Sequence, residues 1–281
     1  MIIKNIEWLK RMSSGSSGGG GGGRKQQHVL FNTIFLIIIM IITFVVYMAY
    51  YMTEEYEAYT QSIQTRSLEK DGFCVLHNPD YATHTVDKPC NELHDDVLNK
   101  LPNGYVFIDY VYKIRNASLS TFHRDVTSSK HIFDTTHPVY TLILYKYNGE
   151  LLSVCPASDK SYPFAWSRIL NINGTSGTVF LFDCDLLHAG RINQCRDRDV
   201  IQYKICHESD IHKLQSLNGI RMEKTDVCVN TLGLAMKRTA SYFFEMPINY
   251  IAYPLMIKRE RTDSIVGWIQ SLIPLQFYNN S

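Results

Sequence analysis

The chain has 281 residues, 45% hydrophobic and 12% aromatic, and its 28 Lys and Arg against 27 Asp and Glu give a formal net charge of +1. That profile excludes a disordered tail, a collagen-like fibre and a histone-like basic protein. It also argues against a nucleic-acid partner, because phosphate binding needs a basic excess. The length suits one large domain or two smaller ones, and an odd count of seven Cys leaves at least one free thiol.

Residues 1–28 form a basic, Gly/Ser-rich tail, and its run SSGSSGGGGGG at 13–23 reads as a flexible spacer that cannot pack a core. The next 23 residues, 29–51, carry no charge, with only Asn32 and two Thr as polar interruptions. A hydrocarbon core of ~30 Å needs about 20 apolar residues at 1.5 Å rise, so this stretch predicts one transmembrane helix, with the lipid bilayer as its partner. The run is too long for a signal peptide and lacks a small-residue cleavage site, so it reads as a signal-anchor. Lys4, Lys10, Arg11, Arg24 and Lys25 precede it against Glu7 alone, and Glu54, Glu55 and Glu57 follow. The positive-inside rule then predicts a single-pass membrane protein with a cytosolic amino terminus and residues 54–281 lumenal or extracytoplasmic. Asn116-Ala117-Ser118 and Asn173-Gly174-Thr175 are sequons compatible with that side.

From about residue 70 to 208, short β-branched and aromatic runs alternate with turn residues. The clearest are 72–76, 104–116, 139–147, 151–155, 177–183 and 199–206. Several alternate with period two, which predicts half-buried strands. Asn148-Gly149 between two of these runs predicts a hairpin. Helical segments lie mainly outside the block, as at 95–101, so the expected fold is mainly β with flanking helices, an antiparallel barrel or sandwich.

Inside that block, Phe122-His123-Arg124-Asp125 puts an imidazole and a carboxylate at i and i+2, on one face of a strand. His188 follows the apolar run 177–183. Two His and one carboxylate on one face of Fe(II) leave coordination positions free, the pattern of non-haem iron oxygenases. Arg198 stands ten positions beyond His188 at the head of another strand, and its rigid fork suits a bidentate carboxylate. Among the other histidines, His131, His137, His207 and His212 read as solvated or structural.

These segments, FHRDV, GTVFLFDCDLLHAGRIN and RDRDVIQYKI, resemble the Fe(II)/2-oxoglutarate-dependent dioxygenases, closest to the phytanoyl-CoA dioxygenase-like branch. The resemblance covers about residues 70–212. It implies a double-stranded β-helix, or jelly roll, with His123, Asp125 and His188 as iron ligands and Arg198 as the partner of the distal carboxylate of 2-oxoglutarate. Gly190 and Asn193 match the family positions after the distal His. Relatives often place the arginine eleven residues after that His, one more than here. The implied reaction uses O2, with ascorbate as a supporting reductant, and hydroxylates a substrate with release of succinate and CO2. The substrate class stays open among small molecules, lipids and protein side chains. Tyr110 and Tyr112, on the strand before His123, either face the cosubstrate or pack the core.

The expected domains are the tail 1–28, the anchor 29–51, an oxygenase domain 54–212 and a helical or irregular extension 213–281. That extension either packs on the barrel or lies on the membrane surface with Lys258, Arg259 and Arg261 at the headgroups. Cys184 and Cys195 either pair or remain buried thiols, and the absence of any CxxC speaks against a zinc ribbon. Two other functional classes remain: a non-catalytic jelly-roll binding or structural module, and a cupin-type metalloenzyme that does not use 2-oxoglutarate. The intact four-residue set speaks against the first, and Arg198 against the second.

Overall fold

A computed structural model describes residues 23–52, 56–116, 121–162, 167–191, 198–225 and 232–246. The expectations for the Gly/Ser tail before residue 23, Asn193, Cys195 and the extension after 246, with Lys258, Arg259 and Arg261, lie outside these residues. The chain divides into two compact units, Met1–Ala49 and Tyr50–Ser281.

The first unit contains most of helix α1 (Gly23–Met52). Its segment His28–Tyr47 is long and apolar enough to cross a membrane, and none of it is buried. Thr33 returns its hydroxyl to the Val29 carbonyl at 2.8 Å, which removes one polar group from the helix surface.

The second unit is mostly β-sheet. A small sheet runs β1 (Tyr56–Tyr59), β7 (Leu170–Gly174), β6 (Gly149–Val154), β9 (His188–Gly190). A larger one runs β11 (Ile220–Thr225), β4 (Tyr110–Arg115), β10 (Asp199–His207), β5 (Tyr140–Tyr145), β8 (Thr178–Asp183), β2 (Phe73–His77), with β3 (Tyr105–Phe107) also on β10. Both neighbours of β5 and both of β10 in that order are antiparallel partners, and the chain passes back and forth between the two sheets. The arrangement is a sandwich consistent with a jelly roll.

Packing follows from side-chain alternation along the strands. On β5, Ile143 and Tyr145 face inward with Phe180 and Phe182 of β8 and Leu152, Val154, Leu170 and Ile172 of the small sheet. Tyr140, Leu142 and Leu144 face the other way, into a cluster with Tyr81, Leu93 and Val97. A strand buried on both faces reads as a continuous apolar run, as 139–147 does. The short helices close the ends: α2 (Leu68–Asp71) is capped by the Ser67 hydroxyl and stops at Gly72, whose φ of +77° suits glycine. Helix α3 (Asn91–Leu98) buries Leu93 and Val97 on the large sheet, and α4 (Lys130–Phe133) follows a 3-10 turn.

Two sequence expectations change. Asn148-Gly149 does not close a hairpin, because β5 and β6 belong to different sheets; β5 is already flanked by β10 and β8, so the chain crosses over instead. The turn is held by Asn148 Oδ1, which accepts from the Ser176 amide at 2.8 Å. Beyond residue 212, where a helical or irregular extension is expected, β11 adds a parallel strand beside β4. Helix α5 (Leu232–Met246) then buries Tyr242 with Phe122, Leu187 and Ala189 on the small sheet.

Candidate metal centre

His123 and His188 face each other across a single antiparallel bridge, with their backbones exchanging hydrogen bonds of 2.9 and 3.0 Å. The extended geometry expected for the H-x-D segment is therefore confined to one residue pair. Asp125 sits just past it, with its amide on the Cys184 carbonyl at 2.8 Å and the Val126–Ser128 turn beginning at once. The intervening Arg124 is 1% exposed and runs the other way. It donates to the carbonyls of Ser158, at 2.8 Å, and Asp185, and lies 5.0 Å from the Tyr162 ring centre. Arg124 thus fixes the turn from behind while its neighbours face forward.

The three sequence-predicted ligands converge. Each imidazole places Nδ1 at 2.9 Å from a carbonyl, His123 from Thr121 and His188 from Leu186, so each Nδ1 carries the hydrogen and Nε2 keeps its lone pair. Both Nε2 atoms lie 3.8 Å from Asp125 Oδ1, and the ring centres are 4.4 Å apart. One donor atom from each residue falls within 4.8 Å of the others, the only such group among the described residues. Burial and the neighbouring His123 lower the His188 pKa to about 4, so it is neutral, the form that binds a metal. Burial works against the Asp125 charge, yet Lys204, His188 and His123 together hold its carboxyl well below the usual range.

The second carboxylate oxygen is engaged elsewhere. Asp125 Oδ2 accepts from Lys204 Nζ at 2.7 Å and from the Thr141 hydroxyl at 2.5 Å. Lys204 is fully buried and also reaches Thr141 Oγ1 at 2.7 Å and Cys184 Sγ at 3.6 Å. Cys184 is a free, buried thiol that burial pushes up to about 12, and the alternative pairing with Cys195 falls outside the described residues. Neither Thr141 nor Lys204 stands out from sequence spacing alone. Lys204 is, however, six positions from Arg198 on the same strand, an even interval that puts both on one face.

Arg198 lies at the head of β10, only 4% exposed, and its Nε and Nη1 have no hydrogen-bond partner among the described residues. Beside it stands Tyr145, whose buried hydroxyl lies close enough to interact with the Arg198 guanidinium. Burial pushes the Tyr145 phenol far above its ordinary range, and the Arg198 charge works against that shift. A buried guanidinium with unspent donors is costly unless an anion completes it. Arg191, three residues after His188, is spent on Glu57 at 3.0 Å and Glu150 at 3.2 Å. Tyr110 and Tyr112 are buried in the cluster between the sheets, with Tyr112 opposite Gln202 of β10. Gly190 is in β9, and its carbonyl accepts from Arg238 of α5 at 2.9 Å.

No family model matches the chain, and no curated protein sequence matches it. Among solved structures it is similar to EvdMO1, at 14% identity and TM-score 0.37 over 51% of this chain and 49% of that one, so it spans about half of EvdMO1. It is also similar to SnoN, a non-haem alpha-ketoglutarate-dependent epimerase from nogalamycin biosynthesis, at 11% identity and TM-score 0.36 over 53% of this chain and 82% of that one. HygX from Streptomyces hygroscopicus, solved with nickel and 2-oxoglutarate bound, matches at 11% identity and TM-score 0.35 over 49% of this chain and 83% of that one. Likeness at this level carries no argument about the chemistry, which rests on the site itself.

Proposed function

We propose that the chain is a membrane-anchored Fe(II)/2-oxoglutarate-dependent oxygenase built on a double-stranded β-helix. The observation that carries this reading is the convergence of three unspent donor atoms, His123 Nε2, His188 Nε2 and Asp125 Oδ1, inside a β-sandwich. Two imidazoles and one carboxylate fit an iron that must keep positions open. The Arg198 guanidinium, with Nε and Nη1 unspent among the described residues and the Tyr145 hydroxyl beside it, fits the distal carboxylate of 2-oxoglutarate and favours this cosubstrate over a cupin-type alternative. Iron with 2-oxoglutarate and O2 would supply the oxidising power for hydroxylation, yielding succinate and CO2, with ascorbate keeping the metal reduced.

The chain's own residues do the rest. Thr121 and Leu186 carbonyls fix the tautomer and aim of the two imidazoles. Lys204 and Thr141 hold Asp125 by one oxygen. Phe182, with its ring centre 4.6 Å from that of His188, supplies an apolar wall beside that ligand. The apolar helix α1 and the charge asymmetry around it support a single-pass anchor with a cytosolic amino terminus and the β unit lumenal or extracytoplasmic. Small molecules, lipids and protein side chains remain the substrate classes to be screened.

The test is succinate formation from 2-oxoglutarate by the purified full chain with Fe(II) and ascorbate. Turnover that requires Fe(II), or Fe-dependent binding of 2-oxoglutarate, is the expected result. Neither being found rejects the reading.

A further inference from the structure

Asp125 offers four lone-pair directions on two oxygens, and the fold spends one oxygen completely. Oδ1 is equidistant, at 3.8 Å, from the two histidine Nε2 atoms. Oδ2 points away from them and receives Lys204 Nζ at 2.7 Å together with the Thr141 hydroxyl. Lys204 reaches this position from β10, Thr141 from β5, and the two strands pair with Lys204 directly opposite Thr141. Their own contact of 2.7 Å locks the donor pair before it meets the carboxylate. A fully buried ammonium is costly, and an apolar residue of the same length would fill the space more cheaply.

We propose that Lys204 is a positioning residue that keeps Asp125 a one-oxygen ligand and raises the positive charge of the centre, so that metal affinity is traded for affinity toward a dianionic 2-oxo acid. This inference rests on the function proposed above. Two consequences follow from the geometry. With Oδ2 held by two donors, the carboxylate cannot swing to chelate the ion through both oxygens, and the position it would otherwise occupy stays open for the cosubstrate. The ammonium also offsets the aspartate charge, so a divalent ion at His123, Asp125 and His188 retains its full formal charge of about two rather than one. A 2-oxo dicarboxylate meets that charge through its keto-acid end and Arg198 through its far end. Losing the ammonium therefore strengthens the cation and weakens the anion.

The two affinities should move in opposite directions, and simple loss of structure cannot produce that pattern, because it lowers both. The experiment uses the full chain in detergent micelles and Co(II) as a spectroscopic probe, and it compares wild type, Lys204→Met, Lys204→Arg, Thr141→Val and His188→Ala. Lys204→Met should bind Co(II) about a hundredfold more tightly and bind 2-oxoglutarate to the Co(II) form about a hundredfold more weakly, the scale of one unit charge acting over about 6 Å at an effective dielectric near 20. Its visible Co(II) spectrum should change as the carboxylate gains a second contact. Lys204→Arg keeps the charge and should restore most of the 2-oxoglutarate affinity. Thr141→Val keeps the ammonium but frees Asp125 Oδ2 to swing toward the ion, so it should shift the two affinities in the same opposite directions by a smaller factor. If Lys204→Met is too unstable to purify, Thr141→Val decides by the same signature. Unchanged Co(II) affinity and spectrum in the variants, or a parallel fall in both affinities, overturns the positioning role while leaving the metal site intact. Equal Co(II) binding by wild type and His188→Ala overturns the site itself, and this inference with it.

Discussion

Two clusters in this molecule have the same composition, two histidines and one aspartate, and opposite character. In one, His123 and His188 lie tilted with ring centres 4.4 Å apart beside Asp125; in the other, His137 and His207 stack at 3.9 Å beside Asp210. In the second, Asp210 accepts the amides of Thr136 and His137 at 2.9 Å each, and His137 Nδ1 lies 3.1 Å from it. His207 spends its Nδ1 on Ser209. That cluster is a brace, since its aspartate oxygens are occupied by the chain it ties together. In the first, each imidazole uses only the nitrogen turned away from the centre, and one oxygen of Asp125 stays available. What separates a ligand set from a brace is which atoms are left unspent, and composition alone does not reveal that.

The comparison breaks most visibly at the ligands. His188→Ala should weaken divalent metal binding by more than about 100-fold, beyond what loss of an outer contact causes, and abolish succinate formation. His137→Ala should leave both unchanged. Isothermal titration with Ni(II) separates the two. Next in size, Arg198→Gln should weaken 2-oxoglutarate binding by about tenfold to a hundredfold with metal affinity retained, because one charge-assisted pair is lost from the cosubstrate alone. Measuring 2-oxoglutarate affinity on the Ni(II)-loaded protein checks it.

The brace predicts effects on stability instead. Asp210→Ala leaves two amides without their acceptor and should cost about 1–3 kcal/mol in denaturant unfolding, with no change in metal affinity. Acid tests the same contact more gently. Burial opposes the Asp210 charge, but the Thr136 and His137 amides and the His137 ring outweigh it and hold its pKa down at about 2. The folded-state pKa is depressed, so the stabilisation is present above the ordinary carboxylate value near 4 and fades as pH falls toward 2. It is worth on the order of 1–2 kcal/mol, and unfolding curves of wild type and Asp210→Ala should converge over that interval.

Sequence spacing exposed part of this, for reasons the structure explains. His123, Asp125, His188 and Arg198 each sit in or beside a run whose alternation marks a strand, so their common direction was legible. Thr141 and Tyr145 were not, because they become relevant only when β5 pairs with β10, a contact between residues some sixty positions apart. Lys204 was half-visible as the residue six beyond Arg198 on one strand face. Asn148-Gly149 misled because a turn signal is local and cannot say that β5 already has neighbours on both edges. The run 220–225 alternates more and less buried residues, but its sequence carries only two apolar side chains, Ile220 and Met222, and its place is set by β4, far back in the chain.

The most direct test of the account is the stoichiometry of Ni(II) bound by the full chain and by its His188→Ala and His137→Ala variants. One ion per chain is expected in wild type and in His137→Ala, and none at the site in His188→Ala. Retention of that ion by His188→Ala, or its loss from His137→Ala, would contradict it.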